Sequence, residues 1–356
     1  MLAFLLVAVA PLCVGNWYNK NSKNDMSRSA EKRWRYILLA ALPMFLLIAL
    51  RNQNIGADTG MYINHFLRTI DTPWHSIFNN SRMEYGYVIF VKLVTCITSS
   101  PFVYQVICAT IYLFGVTSFA NQLDEDPFLV LFFFCTLGTY AFMFTGTRQC
   151  LAISICLFSF RFVKKRKLFA FILLMVLAFY FHKSSILFAT AYLIYPRKLS
   201  FLNILSYIVF MMVSVLYLDT IQQWLNDQLD YNYEIEGNAG GIIFTIFMVV
   251  ITAFSIFALI AYHKVNVESQ GLINIGIIAC ILWVLRVVTR VAERPSYYFL
   301  PFSFAALVYA LGSIEKPKEK GLVKLVFIFL AFALYIYRFL SKSSSLLPYT
   351  FYTFGG

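Results

Sequence analysis

The stretch "GIIFTIFMVVITAFSIFALIAY", residues 241 to 262, runs through 22 positions without a charged side chain. A bilayer-spanning helix needs about 20 mostly apolar residues, whereas a barrel strand needs about 10 with alternating polarity. This run is long and does not alternate, so it reads as a membrane helix. The rest of the chain is built alike: of 356 residues, 60% are hydrophobic and 13% charged, with 37 Phe and a mean hydropathy of +0.72. A soluble domain cannot cover itself with so little polar surface. Backbone inside lipid must satisfy its own hydrogen bonds, which favours helices. The expected fold class is therefore all-α, a polytopic helical membrane protein forming a single transmembrane domain over residues 1–356.

Apolar runs fall near 2–15, 36–50, 86–99, 102–120, 128–145, 150–163, 168–181, 184–195, 201–218, 241–262, 271–289, 297–313 and 322–340. Lys and Arg cluster in "KNSKNDMSRSAEKRWR" (20–35), "RFVKKRK" (161–167), "PRK" (196–198), "HK" (263–264) and "EKPKEK" (315–320). The positive-inside rule places all five in the cytoplasm. If every run crossed, 161–167 would fall outside, so one earlier run does not cross. The run at 86–99 is short, carries Lys92 and is followed by "SSPF". It reads as a juxtamembrane or re-entrant helix on the outer face. About twelve transmembrane helices remain, with both termini outside. The net charge of +12 is then an orientation signal, and no nucleic acid partner is expected.

The seven Cys stand singly without a C-x-x-C pair, and read as small buried hydrophobes rather than disulfides or metal ligands. The first 15 residues lack a basic start and an A-x-A cleavage site, and read as a retained first span rather than a signal peptide.

The same topology sorts the unusual polar residues. The oily run ending at Leu50 breaks into "RNQNIGADTGMYINHF" (51–66), which opens an outer loop over 51–85. Arg51, Asp58, Glu84, Arg148, His182, Arg290 and Arg294 all land on the outer face. Arg148 and His182 occupy very short turns, "TGTRQ" and "HKSS", near headgroup level, where ionisable groups face a bundle interior or a wet cavity. Arg148 also reads as a snorkelling interfacial cation, and His182 as a hydrogen-bonded interfacial residue. Asp58, or Thr59 beside it, reads as the N-cap of a helix. Asp58 also shares a side with Tyr62 and His65 at i, i+4 and i+7, and can serve as a general base. Asp58 and His65 as metal ligands lack a third partner at a diagnostic spacing, so no metal is expected.

In "RVVTRVAERPSYYF" (286–299), Arg286 and Arg290 share a helical face. Several guanidinium forks around one outer cavity suit a pyrophosphate; Glu293 also reads as a plain partner of one of them, and Tyr297 and Tyr298 as interfacial aromatics. A second outer loop, 219–240, alternates acids with Trp224, Tyr231 and Tyr233. It fits sugar rings or an ordinary amphipathic surface helix equally. Nothing in the sequence marks a Walker loop, a dinucleotide fingerprint or a Ser-His-Asp spacing.

The motifs "RNQNIGADTGMY" (51–62), "EYGY" (84–87), "TGTRQCLAISICLFSFRFVKKRK" (145–167), "FHKSSILF" (181–188) and "ERPSYYF" (293–299) together resemble the EpsG family, which is grouped with Wzy-type polysaccharide polymerases. Each is short; their order and combination carry the resemblance, which spans residues 51–299. The resemblance implies a membrane glycosyltransferase joining undecaprenyl-diphosphate-linked oligosaccharides at the periplasmic face of a bacterial inner membrane, in O-antigen or exopolysaccharide synthesis. The outer acidic residue followed by juxtamembrane helices is also similar to the GT-C class.

Carried onto this sequence, the resemblance gives Arg51, Arg148, Arg290 and Arg294 the diphosphate. Asp58 or His182 takes the acceptor proton, and Tyr62, Glu84, Gln149 and Tyr298 contact sugars. It implies no cofactor, with lipid-linked donor and acceptor, the bilayer, and a flippase and chain-length regulator of the pathway as partners. Two other readings are a polyprenyl-phosphate-sugar transferase that decorates a glycan, and a lipid-linked sugar flippase. The flippase reading expects internal repeats, which the two halves do not display.

Overall fold

A computed structural model describes residues 1–23, 30–79, 81–217, 241–340 and 345–353. Among them all regular structure is helical, apart from one isolated antiparallel bridge between Arg51 and Phe351. The all-α expectation holds. Five helices among the described residues are long and apolar enough to cross a membrane: α1 (Leu2–Lys23, through Asn21), α5 (Pro101–Asn121), α12 (Ile242–Ala261), α13 (Val267–Val288) and α16 (Pro317–Leu340). Several other apolar runs form helices of 10–17 residues, so a count of twelve goes beyond what helix length supports. The second outer loop, 219–240, and residues 24–29 of the first basic cluster lie outside the described residues.

Two predicted spans are not single helices. The run at 128–145 breaks at Gly138, φ +93°, between α6 (Pro127–Thr136) and α7 (Thr139–Phe142). A left-handed residue cannot continue an α-helix, and glycine takes that conformation without a steric cost. The run at 184–195 is a 3₁₀ segment, Lys183–Ala189, followed by the short α10 (Thr190–Ile194). Phe188, Tyr192, Ile194 and Tyr195 of this run are buried, while Ile186, Leu187 and Leu193 are exposed.

The chain divides into two compact units. One holds Met1–Arg161, Phe169–Ile186 and Ile328–Gly356; the other holds Phe162–Leu168 and Leu187–Phe327. In the first unit, α1, α2 (Ala30–Ala49), α5 and α6 pack together. Asp126 starts α6 by accepting from the amides of Phe128 and Leu129, with Pro127 at the first helical position, where its missing N–H costs nothing.

The first unit has two distinct ends. At one, Tyr335 donates to the Phe4 carbonyl (3.0 Å), and the Phe4 ring packs on Phe144 and Tyr349. Here the C-terminal segment is laced to the loop after α2: the Asn52 amide donates to the Thr350 carbonyl (3.0 Å) and the Tyr352 amide to the Leu50 carbonyl (2.7 Å). The Tyr349 hydroxyl reaches the Leu47 carbonyl (2.7 Å). Near the opposite end, Arg33 donates to the carbonyls of Leu123 (2.6 Å) and Glu125 (3.2 Å), and Arg161 to the Ser118 hydroxyl (2.6 Å). Residues Phe4, Arg51 and Tyr349 thus share one end, and basic Arg33 and Arg161 lie away from it, as charge alternation predicted.

Between α2 and α5 lie two short helices, α3 (Thr59–Ile70) and α4 (Tyr85–Thr95). With 11 residues, α4 is roughly 16 Å long, about half the ~30 Å hydrocarbon thickness. At that length a regular helix is too short to cross, which fits the juxtamembrane or re-entrant reading of 86–99. Lys92, the odd cation of this run, is buried and donates to the carbonyls of Thr69 (3.1 Å) and Ile70 (3.2 Å). It caps the end of α3, where free carbonyls and the helix dipole favour a cation.

In the second unit, α12, α13 and α15 (Leu300–Ser313) pack on one another. An Asn266–Ser269 capping box starts α13. Asn274 ties α13 to the Arg197 carbonyl (2.7 Å), and Lys164 pairs with Glu268 (2.7 Å).

Candidate functional site

Four of the predicted residues converge in the first unit, each from the end of a different helix. Tyr62 lies in the first turns of α3; Glu84 is the residue before α4, in extended conformation (φ −63°, ψ 141°). Arg148 is the second residue of α8 (Thr147–Lys164), and His182 follows α9 (Leu168–Phe181). Helix ends carry backbone groups without intrahelical partners, so side chains there face other segments instead of their own helix.

Glu84 is the hub. One carboxylate oxygen pairs with the Arg148 guanidinium, and the other lies 2.8 Å from His182 Nδ1. The Glu84 and His182 side chains are each 7% exposed and Arg148 20%, so water screens the cluster little. Arg148 Nε also reaches the Tyr62 hydroxyl at 3.5 Å. Burial alone would push the Glu84 carboxyl up. The His182 hydrogen bond and the charges of Arg148 and His182 outweigh burial and hold it at about 2, against an ordinary 4.5. Glu84 is thus a carboxylate at neutral pH. A carboxylate only accepts hydrogen bonds, so His182 Nδ1 carries the hydrogen. In the neutral ring that leaves the proton-accepting lone pair on Nε2.

Gly86 explains why Glu84 and His182 meet. A Cβ at position 86 would come within 2.7 Å of Tyr180 Cβ and 2.8 Å of its carbonyl oxygen. The start of α4 lies directly on the end of α9, and only glycine permits that approach. Substituting Gly86 by alanine is expected to push these ends apart by several tenths of an ångström and lower activity at least about tenfold. Thermal unfolding of purified protein, run beside the activity assay, separates a misplaced site from a lost fold.

Behind the cluster, Tyr62 stands edge-on to Tyr87 (5.7 Å), whose hydroxyl lies 2.7 Å from that of Tyr104. His65 stacks on Tyr87 (5.8 Å). Burial, then the charges of Arg148 and Arg68, lower the His65 pKa and keep it neutral. With Phe66, Val91, Val94, Cys108 and Leu151, these tyrosines form one packed core under the site. The sequence marked His65 only as a neighbour of Asp58, and Tyr87 only as part of "EYGY".

Asp58 occupies the N-cap position of α3, but its side chain makes no capping bond. It is half-buried and close enough to Tyr62 to raise its pKa further, so its carboxylate borders the cluster. No group of three or more His, Cys, Asp or Glu that could hold a metal occurs among the described residues; Asp58 and His65 gain no third ligand.

Other predicted positions lie outside the cluster. Arg51 is 4% exposed, donates to the Ile48 carbonyl (2.7 Å) and lies near Thr59 Oγ1 (3.4 Å) and the Phe144 ring. It lines a cavity of about 20 Å³ with Cys108, Tyr112, Thr147 and Cys150, near the minimum for one water and far too small for a diphosphate. Arg51 builds the loop. Gln149 and Tyr298 are buried. In the second unit, α13 ends at Val288 and Thr289 is extended, so Arg286 and Arg290 do not share a helical face. Arg286 instead pairs with Glu293 (2.9 Å), while Arg290 and Arg294 are exposed.

Comparison with known proteins gives one family. A profile described as the EpsG family matches residues 34–351. Neither a curated protein nor a solved structure matches the chain. The matched region takes in all five motifs, the Glu84 cluster and the laced C-terminal segment through Phe351. This all-helical membrane protein belongs to the EpsG family, the family of Wzy-type polymerases.

Proposed function

We propose that the protein is a polysaccharide polymerase that transfers a glycan from one undecaprenyl-diphosphate carrier onto another at the periplasmic face of the inner membrane. The observation that carries this reading is the Glu84–His182–Arg148 cluster, assembled from three of the motifs at one end of the first unit. His182, oriented by Glu84, takes the proton of the acceptor hydroxyl as its oxygen attacks the anomeric carbon. The bond from that carbon to the diphosphate breaks, and the electron pair leaves with the lipid diphosphate. Glu84 stabilises the imidazolium that forms, as a buried carboxylate does beside a catalytic histidine. The Arg148 charge stabilises negative charge developing nearby. Asp58, uncommitted as a cap, holds acceptor hydroxyls.

For the second unit by itself, the family resemblance suggests Arg290 and Arg294, both exposed, as groups that bind diphosphate. Guanidinium groups need no divalent ion to bind a diphosphate. EDTA is therefore expected to leave extension of lipid-linked repeat units unchanged; inhibition reversed by Mg²⁺ or Mn²⁺ contradicts that assignment.

Gel analysis of a deletion strain tests the reaction class. A polymerase leaves single repeat units on their carrier when deleted. Long but altered chains identify a decorating transferase instead, and an absence of units on the outer face identifies a flippase.

A further inference from the structure

Arg51 is a buried cation that pairs with no carboxylate. Its contacts among the described residues are the Ile48 carbonyl, Thr59 Oγ1 and the Phe144 ring, and none of these is an acid. Arginine keeps its charge at any physiological pH, and a buried charge without a counter-charge is strongly unfavourable. A carbonyl and a hydroxyl solvate the guanidinium without neutralising it. Elsewhere the chain meets this cost with an acid, as Arg148 does with Glu84 and Arg286 with Glu293. Arg51 departs from that pattern.

The cavity of about 20 Å³ beside it is lined by Arg51, Cys108, Tyr112, Thr147 and Cys150, with apolar side chains making the rest of the wall. Every one of these five polar side chains can donate a hydrogen bond, and none is a carboxylate. Thr147 carries a second, independent signal. It is 7% exposed, yet its hydroxyl makes no hydrogen bond to the chain among the described residues, although buried hydroxyls are nearly always bonded. Thr147 is also the first residue of the 18-residue α8, so the cavity borders the helix end whose dipole favours negative charge.

We infer that this cavity binds one monatomic anion, chloride under cellular conditions, which neutralises Arg51 and accepts from the Thr147 hydroxyl. A water molecule would satisfy the hydroxyl but leave the guanidinium charge uncompensated. The space admits about one water-sized species, so sulfate, phosphate and diphosphate do not fit. The ion ties the loop after α2 to the start of α8, one residue from Arg148. All the groups involved belong to the first unit, and the inference does not depend on the polymerase reading.

The test is thermal unfolding of the purified full-length protein in detergent, with sodium chloride replacing sodium gluconate at constant ionic strength. The wild-type midpoint is expected to rise by about 3–6 °C, along a saturating curve, as chloride reaches about 150 mM. Bromide is expected to replace chloride. Sulfate, which stabilises proteins by exclusion from their surface, is expected to give no saturating rise. Arg51→Met removes the charge at similar volume and is expected to abolish the chloride dependence. Thr147→Val removes one donor at similar volume and is expected to raise the half-saturating chloride concentration about tenfold, which keeps the test available if Arg51→Met does not accumulate. A wild-type midpoint that ignores chloride overturns the inference and leaves the cavity to water. Chloride dependence that persists in Arg51→Met, or unchanged half-saturation in Thr147→Val, also overturns it by placing the ion elsewhere. No glycan transfer is read, so the failure of this inference and the failure of the polymerase reading are separate results.

Discussion

Replacing His182 with alanine is expected to reduce polymer synthesis by about 10²–10⁴-fold, the range a general base contributes, with folded protein still present in the membrane. The side chain removed is small, and its main polar partner, Glu84, keeps Arg148. Added imidazole should restore part of the activity, because it supplies a proton acceptor to the space left open. Glu84→Gln is expected to cost as much in rate and more in stability: it strips Arg148 of its counter-charge and lets His182 adopt the wrong tautomer. Removing one partner of a buried pair costs about 3–5 kcal/mol.

The pH dependence follows the Glu84 carboxyl. Held at about 2 against an ordinary 4.5, it contributes stability that is fully present above 4.5 and lost as pH falls toward 2. An acid limb of the rate profile near neutral pH therefore belongs to a different group. A rate limb centred near 4.5 would contradict the burial and pairing of Glu84.

Arg148→Ala is the second large effect, expected to lower extension about 10²–10³-fold. The side chain holds one Glu84 oxygen, reaches Tyr62 and keeps 20% of its surface open, so its loss removes both a counter-charge and a nearby positive field. Arg148→Lys should recover little of this. An ammonium supplies charge but not the planar fork that reaches Glu84 and Tyr62 together. Equal loss in both variants, with the His182 ring still held by Glu84 in NMR of labelled histidine, supports a role in the reaction. Full activity of Arg148→Lys would reduce Arg148 to a point charge.

How far the sequence reveals the site depends on the kind of order involved. Charge alternation across apolar runs is a one-dimensional signal, and it gathered Arg51, Asp58, Glu84, Arg148 and His182 on one face. The partnership among them is not one-dimensional: Glu84 meets Arg148 across 64 residues and His182 across 98. No local spacing encodes that, so Glu84 reads from sequence as a sugar contact rather than the hub. Arg51 shows the same gap. Its polar neighbours resemble a ligand site, but the C-terminal segment that buries it lies about 300 residues further on. The break at Gly138 is hidden because an unbroken run of Leu and Phe is equally apolar whether or not the helix continues. Lys92 was visible as an anomaly in 86–99, and α3 supplies the carbonyls that account for it.

The most direct test of the central claim is extension of a purified undecaprenyl-diphosphate-linked repeat unit by purified protein, comparing wild type with His182→Ala and Glu84→Gln. The account predicts a ladder of products from the wild type and unextended substrate from both variants. Undiminished ladders from the variants, or no ladder from the wild type with its own repeat unit, would contradict it.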